Sequence, residues 1–533
     1  MKAQLFSHPR ALILALAVLL LAGAGAFSAL AAPDDFVTVI TVNTGQDFST
    51  SMSESCATYP DDCSLRRAIV QARALAPAAR PALIQFNIPE DPAEGWDATL
   101  DLWHLTLLAP SDQYVFRDLT GGLITIDGST QPNGRTTGPT ILLVGPSTLK
   151  RGINLSSGEG YEIRGLGFQN FTVMLTLSTL NSLVENNWFG LNDEGTAPAW
   201  RDEDDHSQGS GTGGVDMTSV AEGNTIRANV FLGLIGNAAT IRGDGNLFDT
   251  NYVGTNFEGE VTGKLTDPSL SCTEVDWYGG SGILVDGPDH AVVNNVIAGI
   301  RLDIFISSSQ PDAIWAESTC DRCYFQNNQI GVDADGTDVG VCGQGIDITD
   351  GEQMDVLDNV FAETYHSAIF LNGALYKDNT IHGNLIRRST PWLQPEGQPK
   401  ADDAILRFTG LPDPFELFNP AQVTEFDGVT ISGTAGDGNP CPNCLIEIFL
   451  DDDDGINEAL ELLTTAIADA SGNWTATLPY ELPDGFGLRT SSTSAQFNTI
   501  PNMNAGTTAG LSVLYVEEVV VTGTDVFLPL VIK

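Results

Sequence analysis

Positive charge is what this chain has least of. Its 533 residues hold 24 Lys and Arg against 69 Asp and Glu, a formal net charge of −45. So acidic a surface repels phosphate backbones and anionic lipid, which excludes nucleic-acid binding as a working role. Solubility, salt tolerance and divalent-cation binding all fit the charge, and it does not choose among them. Histidine is scarce too, with six in the whole chain. No GxSxG, HExxH or P-loop string occurs, and no histidine sits in an identifiable triad. Beyond the N-terminus no segment is apolar for long enough to span a bilayer.

The N-terminus is the exception. Lys2 and Arg10 precede an uncharged apolar stretch from Ala11 to Phe27, and Ala29-Leu30-Ala31 gives a small-x-small cleavage pattern. Residues 1–31 are therefore expected to be a secretory signal peptide, with a retained anchor as the alternative. Export places the eight cysteines in an oxidising compartment. The near pairs Cys56/Cys63, Cys320/Cys323 and Cys441/Cys444 are expected as disulfides, which leaves Cys272 and Cys342 to pair with each other. A four-thiolate zinc site built from the two CxxC pairs is disfavoured, because the pairs are far apart and exported thiols rarely stay reduced.

A repeat organises most of the chain. "NWFGLNDEG" from Asn187, "NYVGTNFEG" from Asn251 and "NQIGVDADG" from Asn328 share Asn-x-apolar-Gly-x-(Asn/Asp)-x-x-Gly. Shorter relatives begin at Asn229, Asn295, Asn359 and Asn384. The first intervals between these Asn residues read as multiples of about 21 or 22 residues, and the later ones as coils with insertions. Short alternating strands at Gly214, Gly282, Gly345 and Ala368 precede the Asn each time. Strands this short cannot bury a face alone, but stacked in parallel they can, so the pattern predicts a β-solenoid. Asn suits its corner by tolerating the left-handed backbone and by bonding to identical amides above and below.

These residues carry a resemblance. The repeats are similar to those of right-handed parallel β-helix proteins, the pectate-lyase-like superfamily. "CSLRRAI" (Cys63 to Ile69) resembles the CSLREA signature of secreted β-helix proteins, and "ITIDGSTQP" (Ile124 to Pro132) and "IRGLGFQNF" (Ile163 to Phe171) resemble their first coils. The resemblance implies an all-β fold: a right-handed parallel β-helix over about residues 36–390, closed by an N-terminal capping helix. Ser64 is the expected helix cap, with Leu65, Ile69, Ala72 and Ala76 on one face and Arg66 and Arg67 on a solvated one. The cap and first coils occupy 32–135 and the repeats 136–390, with a linker or closing cap over 391–422. A small β-sandwich is expected over 423–517, where strands alternate between turn signals; it resembles bacterial Ig-like modules. Residues 518–533 are expected to be a C-terminal tail, apolar at its end but far too short to span a bilayer, with a final strand and a sorting signal as its two readings.

Three acidic places are candidate sites. In "RDEDDHSQGSGTGG" (201–214), Asp204, Asp205 and His206 are candidates for catalysis or for metal and sugar contact, against a plain Ser/Gly-rich insertion. Its GxGxxG string lacks a Rossmann strand and carries nothing. Asp452, Asp453 and Asp454, and separately Asp333 and Asp335, are candidate calcium ligands, although neither loop matches an EF-hand. The polygalacturonase-like motif set is incomplete, since the Asp204-Asp205 and His382-Gly383 pairs stand alone and several coils apart. The reading is a secreted or cell-surface β-helix with a binding or structural role, adhesin-like or carbohydrate-contacting. The alternative is a polysaccharide lyase or glycoside hydrolase. Its expected partner is an extracellular polysaccharide or cell-surface component, its one candidate cofactor is calcium, and a monomer is expected.

Overall fold

The computed structural model describes residues 36–48, 50–146, 148, 150–199, 211–261, 282–300, 311–372, 378–389, 404–408, 419–435, 441–494 and 508–516. The expected signal peptide lies outside these. Among the described residues no helix is long and apolar enough to cross a membrane.

Three long parallel sheets form the bulk of the protein. The first has eleven strands, from Thr38–Val42 to Thr380–His382. The second has nine, from Ile153–Leu155 to Ile405–Phe408, and the third eleven, from Trp96–Asp97 to Leu385–Arg387. Apart from Trp96–Asp97, which pairs antiparallel with Leu102–Thr106 at the edge of the third sheet, each strand pairs with its counterpart one coil on: Val184 lies beside Ile226, Ile226 beside Phe248, and Phe248 beside Val292. This is the parallel β-helix that the repeat predicts. Inward residues fill its axis in columns, with Phe168, Phe189 and Phe231 stacked at 5.1 and 4.7 Å between centroids. Many strands of the first and third sheets are only two or three residues long, so something else must hold their register.

That role falls to asparagine. Asn187, Asn229, Asn251, Asn295, Asn328, Asn359 and Asn384 form one buried ladder, each Nδ2 donating to the next Oδ1 at 3.0–3.1 Å. The same Oδ1 accepts the backbone N–H of the preceding Asn, as Asn295 does from Asn251 at 2.8 Å. Two details differ from the expectation. The left-handed residue is the one before the ladder Asn: Asn186, Ala228, Thr250, Asn294, Asn327 and Asp358 all have positive φ. The intervals of 42 and 44 residues are also single coils, because Asn187 bonds directly to Asn229 and Asn251 directly to Asn295. By length alone each reads as two coils; in fact each is one coil with an excursion.

The N-terminal helix is Leu65–Arg73, capped by Ser64, whose side chain accepts the Arg67 N–H. Cys56 and Cys63 are bonded beside it. Arg66 and Arg67 are not solvated as expected. Arg66 is 2% exposed, pairs with Asp47 and donates to the Leu108 carbonyl. Arg67 pairs with Glu54 at 2.8 Å and lies over the Tyr59 ring. The helix covers the first coil with its apolar face; Arg66 is enclosed by Asp47 from before the helix and the Leu108 and Val115 carbonyls from after it, and Arg67 by Glu54 and Tyr59 of the preceding loop. Cys320–Cys323 and Cys441–Cys444 are disulfides, and Cys342 is also oxidised. Its expected partner Cys272 lies outside the described residues.

After the β-helix come two three-stranded antiparallel sheets. One orders Gln422–Phe426, Thr430–Thr434 and Asn473–Thr477; the other Glu461–Ile467, Leu445–Asp451 and Gly487–Thr493. The expected linker is not wholly a linker, since Ile405–Phe408 adds the last strand to the second sheet. The sandwich docks on the final coil. Ile386 and Ala459 exchange backbone hydrogen bonds at 2.9 Å, and Glu447 accepts the Gly383 N–H at 2.8 Å. Glu458 accepts the Arg388 N–H at 2.6 Å.

Asn295→Ala should lower stability by about 3 kcal/mol, since it strands the buried Asn251 N–H and breaks both ladder bonds. Asn294→Ala, next door and solvent-facing, should cost only about 1 kcal/mol of left-handed strain. Urea denaturation of the two variants beside wild type checks the contrast.

Candidate functional site

Within each coil the chain runs from a first-sheet strand, across the Asn corner, to a third-sheet strand, and then along a longer connection to the second sheet. In the coils joined by the Asn ladder, the residues that lengthen the interval fall between the third-sheet and second-sheet strands. The length of chain varies between those two strands, while the Asn corner stays uniform. On a solenoid, lengthened loops beside one sheet are where side chains from several coils can converge on a ligand.

The outward face of the second sheet carries a continuous row. Asn154, Thr176, Asp216, Thr240, Leu284, Trp315, Asp347 and Phe370 are register partners on successive strands. Their neighbours Ile314, Ala316, Ile346, Ile348 and Ile369 point inward and are fully buried. At the row's near end the acids are neutralised, with Arg242 held 3.2 Å from both Asp216 and Asp286. Further along they are not. Asp347 occupies the rung between Trp315 and Phe370, and among the described ion pairs it has no basic partner. The Trp315 indole N–H donates to Thr349 Oγ1 at 3.4 Å, which ties the ring to the same patch.

A second carboxyl lies at the corner leading into this row. Asp312 is 7% exposed and accepts the Gln344 N–H at 2.8 Å. Burial, reinforced by the nearby Asp347 charge, pushes its pKa up to about 8. Burial raises Asp347 to about 6. The next coil supplies His366, edge-on to Tyr365 and held down to about 4 by burial, so its imidazole is neutral. Gly343 is required where these corners meet, because a Cβ there would collide with the Pro311 carbonyl. Successive coils thus set a protonated Asp312 near Asp347, which is ionised above pH 6, with Trp315 and Phe370 on the rungs either side of Asp347, while the His366 backbone N–H bonds the Gly343 carbonyl at the same corner. Both carboxyls are raised, but unequally, and unequal pKa values in neighbouring carboxyls divide proton-donor and acceptor roles.

Two further features lie elsewhere. A cleft of about 710 Å³ on the third sheet is lined by Asn133, Arg135, Asn186, Trp188, Tyr252 and Phe257. Arg135 lies 4.7 Å over the Trp188 ring, and Phe257 packs against the same indole at 5.6 Å. Beside it His104 Nε2 is 2.8 Å from Asp193 Oδ2, and this bond raises the imidazole's pKa while lowering that of Asp193. At the sandwich, Asp452, Asp454 and Glu458 place carboxylate oxygens within 4.8 Å of one another. Burial is the main reason that Glu458 is raised to about 7.

The candidates named from the sequence fare differently. Asp204, Asp205 and His206 lie outside the described residues. Asp333 is 7% exposed and caps its own turn, with Oδ1 accepting the N–H groups of Asp335 and Thr337. Asn192 and Asn256 make the same kind of bond in their coils, so the shared position is a turn cap. Of the Asp452–Asp454 run, the first and last join the cluster with Glu458. Sequence reasoning misses Asp312, Asp347 and His366. The last two lie within or beside the recognised short strands "GIDI" and "AIFL", and outward polar or aromatic residues at those strands are the available signal.

Asp312 makes stability depend on pH in a definite direction. Its folded pKa is raised, so the native state holds a proton that the unfolded chain releases, and stability falls as pH rises from about 4 to about 8. Asp312→Asn should flatten that slope in thermal melts across the window, and an unchanged slope would place the titration elsewhere.

No family model matches the chain, and no curated protein sequence does. Solved structures with some likeness include Geobacillus virus E2 ORF18, at 10% identity and TM-score 0.32, covering 84% of this chain and 78% of that one. DFA-IIIase from Arthrobacter chlorophenolicus A6 without its lid shares 13% identity at TM-score 0.26, over 67% and 83% of the two chains. A tailspike protein mutant of E. coli bacteriophage HK620, in complex with a pentasaccharide, shares 10% identity at TM-score 0.28, over 85% of each chain. The fold assignment rests on the three stacked sheets themselves.

Proposed function

We propose that the protein is an extracellular glycan-contacting β-helix, with the outward face of the second sheet as its contact surface. The observation that carries this reading is the run Leu284, Trp315, Asp347 and Phe370 on adjacent rungs. Sugar rings offer apolar C–H faces to aromatic side chains and hydroxyls to carboxylates. Rungs about 4.8 Å apart repeat such contacts along an extended chain. The predicted signal peptide, the disulfides and the acidic surface are consistent with work outside the cell.

A second reading has its own support. Asp312 at about 8 and Asp347 at about 6 differ in the sense needed for one general acid and one base or nucleophile, which favours glycoside hydrolysis. Asp312 would protonate the leaving oxygen, and Asp347 would attack the anomeric carbon or activate water.

A panel of neutral and acidic glycans separates the two. Trp315→Ala should weaken the affinity of the bound glycan at least about tenfold, roughly 1.4 kcal/mol, with the fold intact by circular dichroism. If hydrolysis occurs, Asp312→Asn should abolish reducing-sugar release while leaving binding in place. Glycan binding indifferent to Trp315→Ala would remove the second sheet as the contact surface.

A further inference from the structure

The strand Leu445–Asp451 ends in a loop that folds back on itself. Asp451 is fully buried and its carboxylate is committed: it pairs with Arg489 and accepts the N–H groups of Asp453 at 2.9 Å and Glu458 at 3.2 Å. Those bonds bring Glu458 over the preceding acids, so that one oxygen each from Asp452, Asp454 and Glu458 lies within 4.8 Å of the others. Arg489 is engaged by Asp451 and by the carbonyls of Ser512 and Ile456. Among the described ion pairs, none neutralises the three.

Glu458 is the independent sign that this is more than a solvated acidic turn. It is 1% exposed, and although Oε1 accepts the Arg388 N–H, its buried Oε2 has no hydrogen-bond partner. The adjacent Asn457 holds a second buried oxygen without a partner, Oδ1. A buried carboxylate oxygen without a donor is costly, and a bound cation removes that cost while quenching repulsion among three close carboxylates. The donors are all hard oxygens, with no imidazole or thiolate, which selects calcium over zinc.

We infer that Asp452, Asp454 and Glu458 bind one calcium ion, and that this ion fastens the β-sandwich to the last coil of the β-helix. The link is Glu458 itself, which would hold the ion and the Arg388 backbone of the coil at once. Calcium would therefore stiffen the junction between the two parts of the chain. This stands apart from the glycan reading, whose residues lie on another face.

The test uses the whole exported chain, stripped with EDTA and dialysed. Calorimetric titration with calcium chloride should give a binding heat, with magnesium chloride far weaker, and calcium should raise Tm and slow proteolysis at the junction. Asp454→Asn should lose all three responses. Glu458→Gln should as well, although its amide oxygen can still accept from Arg388 and keep the junction folded. Asp453→Asn should retain them. Absence of heat and Tm shift in wild type would overturn the site, and so would undiminished heat in both Asp454→Asn and Glu458→Gln. Calcium binding that leaves proteolysis unchanged would overturn the fastening role.

Discussion

One buried amide per coil is the contact on which the rest of this protein depends. Strands of two or three residues offer too few ladder hydrogen bonds to fix their own register. The Asn ladder fixes it instead, because each side chain bonds both the amide and the backbone N–H of the Asn in the preceding coil. A mismatch by one residue would leave an amide and an N–H unpaired in the interior. Register is thereby enforced by hydrogen bonds that cannot be moved to water. The stacked phenylalanines then fill whatever space that register leaves along the axis.

The same device explains why coils differ so much in length. The next Asn must return to the ladder, but nothing in the ladder counts the residues between. Coil steps of 22 and 44 residues follow one another at Asn229, Asn251 and Asn295 without interrupting it. Closing a longer excursion adds little entropy cost, since that cost grows only logarithmically with length. Excursions cannot start at the Asn corner, where the first and third sheets are separated by two residues. They fall instead between the third-sheet and second-sheet strands, and Asp312 stands at the end of one such connection, near Asp347 of the next coil.

Legibility in the sequence follows from this division. The ladder residues are readable because each repeats the same local demand: Asn187 and Asn251 stand in near-identical strings. Ser64 as a helix cap and the three near disulfides are readable because their partners are local in sequence. Arg66 is not, because its partners, Asp47 and the carbonyl of Leu108, come from loops that only the fold brings over the helix. The intervals of 42 and 44 mislead because length cannot separate two coils from one coil with an excursion. The site residues are harder still. Asp312 acquires its character from burial and from Asp347, 35 residues on in sequence but neighbouring in space, and no local pattern carries that.

Scarcity of basic side chains then decides where chemistry can reside. Most described arginines are engaged by acids in the framework: Arg66 with Asp47, Arg164 with Asp127 and Glu162, Arg227 with Glu185, Arg242 with Asp216 and Asp286, Arg489 with Asp451. Acids exposed to water need no partner, because solvent screens them. Buried ones do: Asp333 finds it in two backbone N–H groups of its own turn, and among the described residues two other places have no basic partner. At the end of the second sheet, Asp312 responds by keeping its proton. At the junction, buried Glu458 has the exposed carboxylates of Asp452 and Asp454 within 4.8 Å, so a proton on Glu458 leaves those two charges in place and a divalent cation offsets all three. The same shortage of positive charge therefore yields a proton-holding site in one place and a cation site in the other, according to how many acids converge.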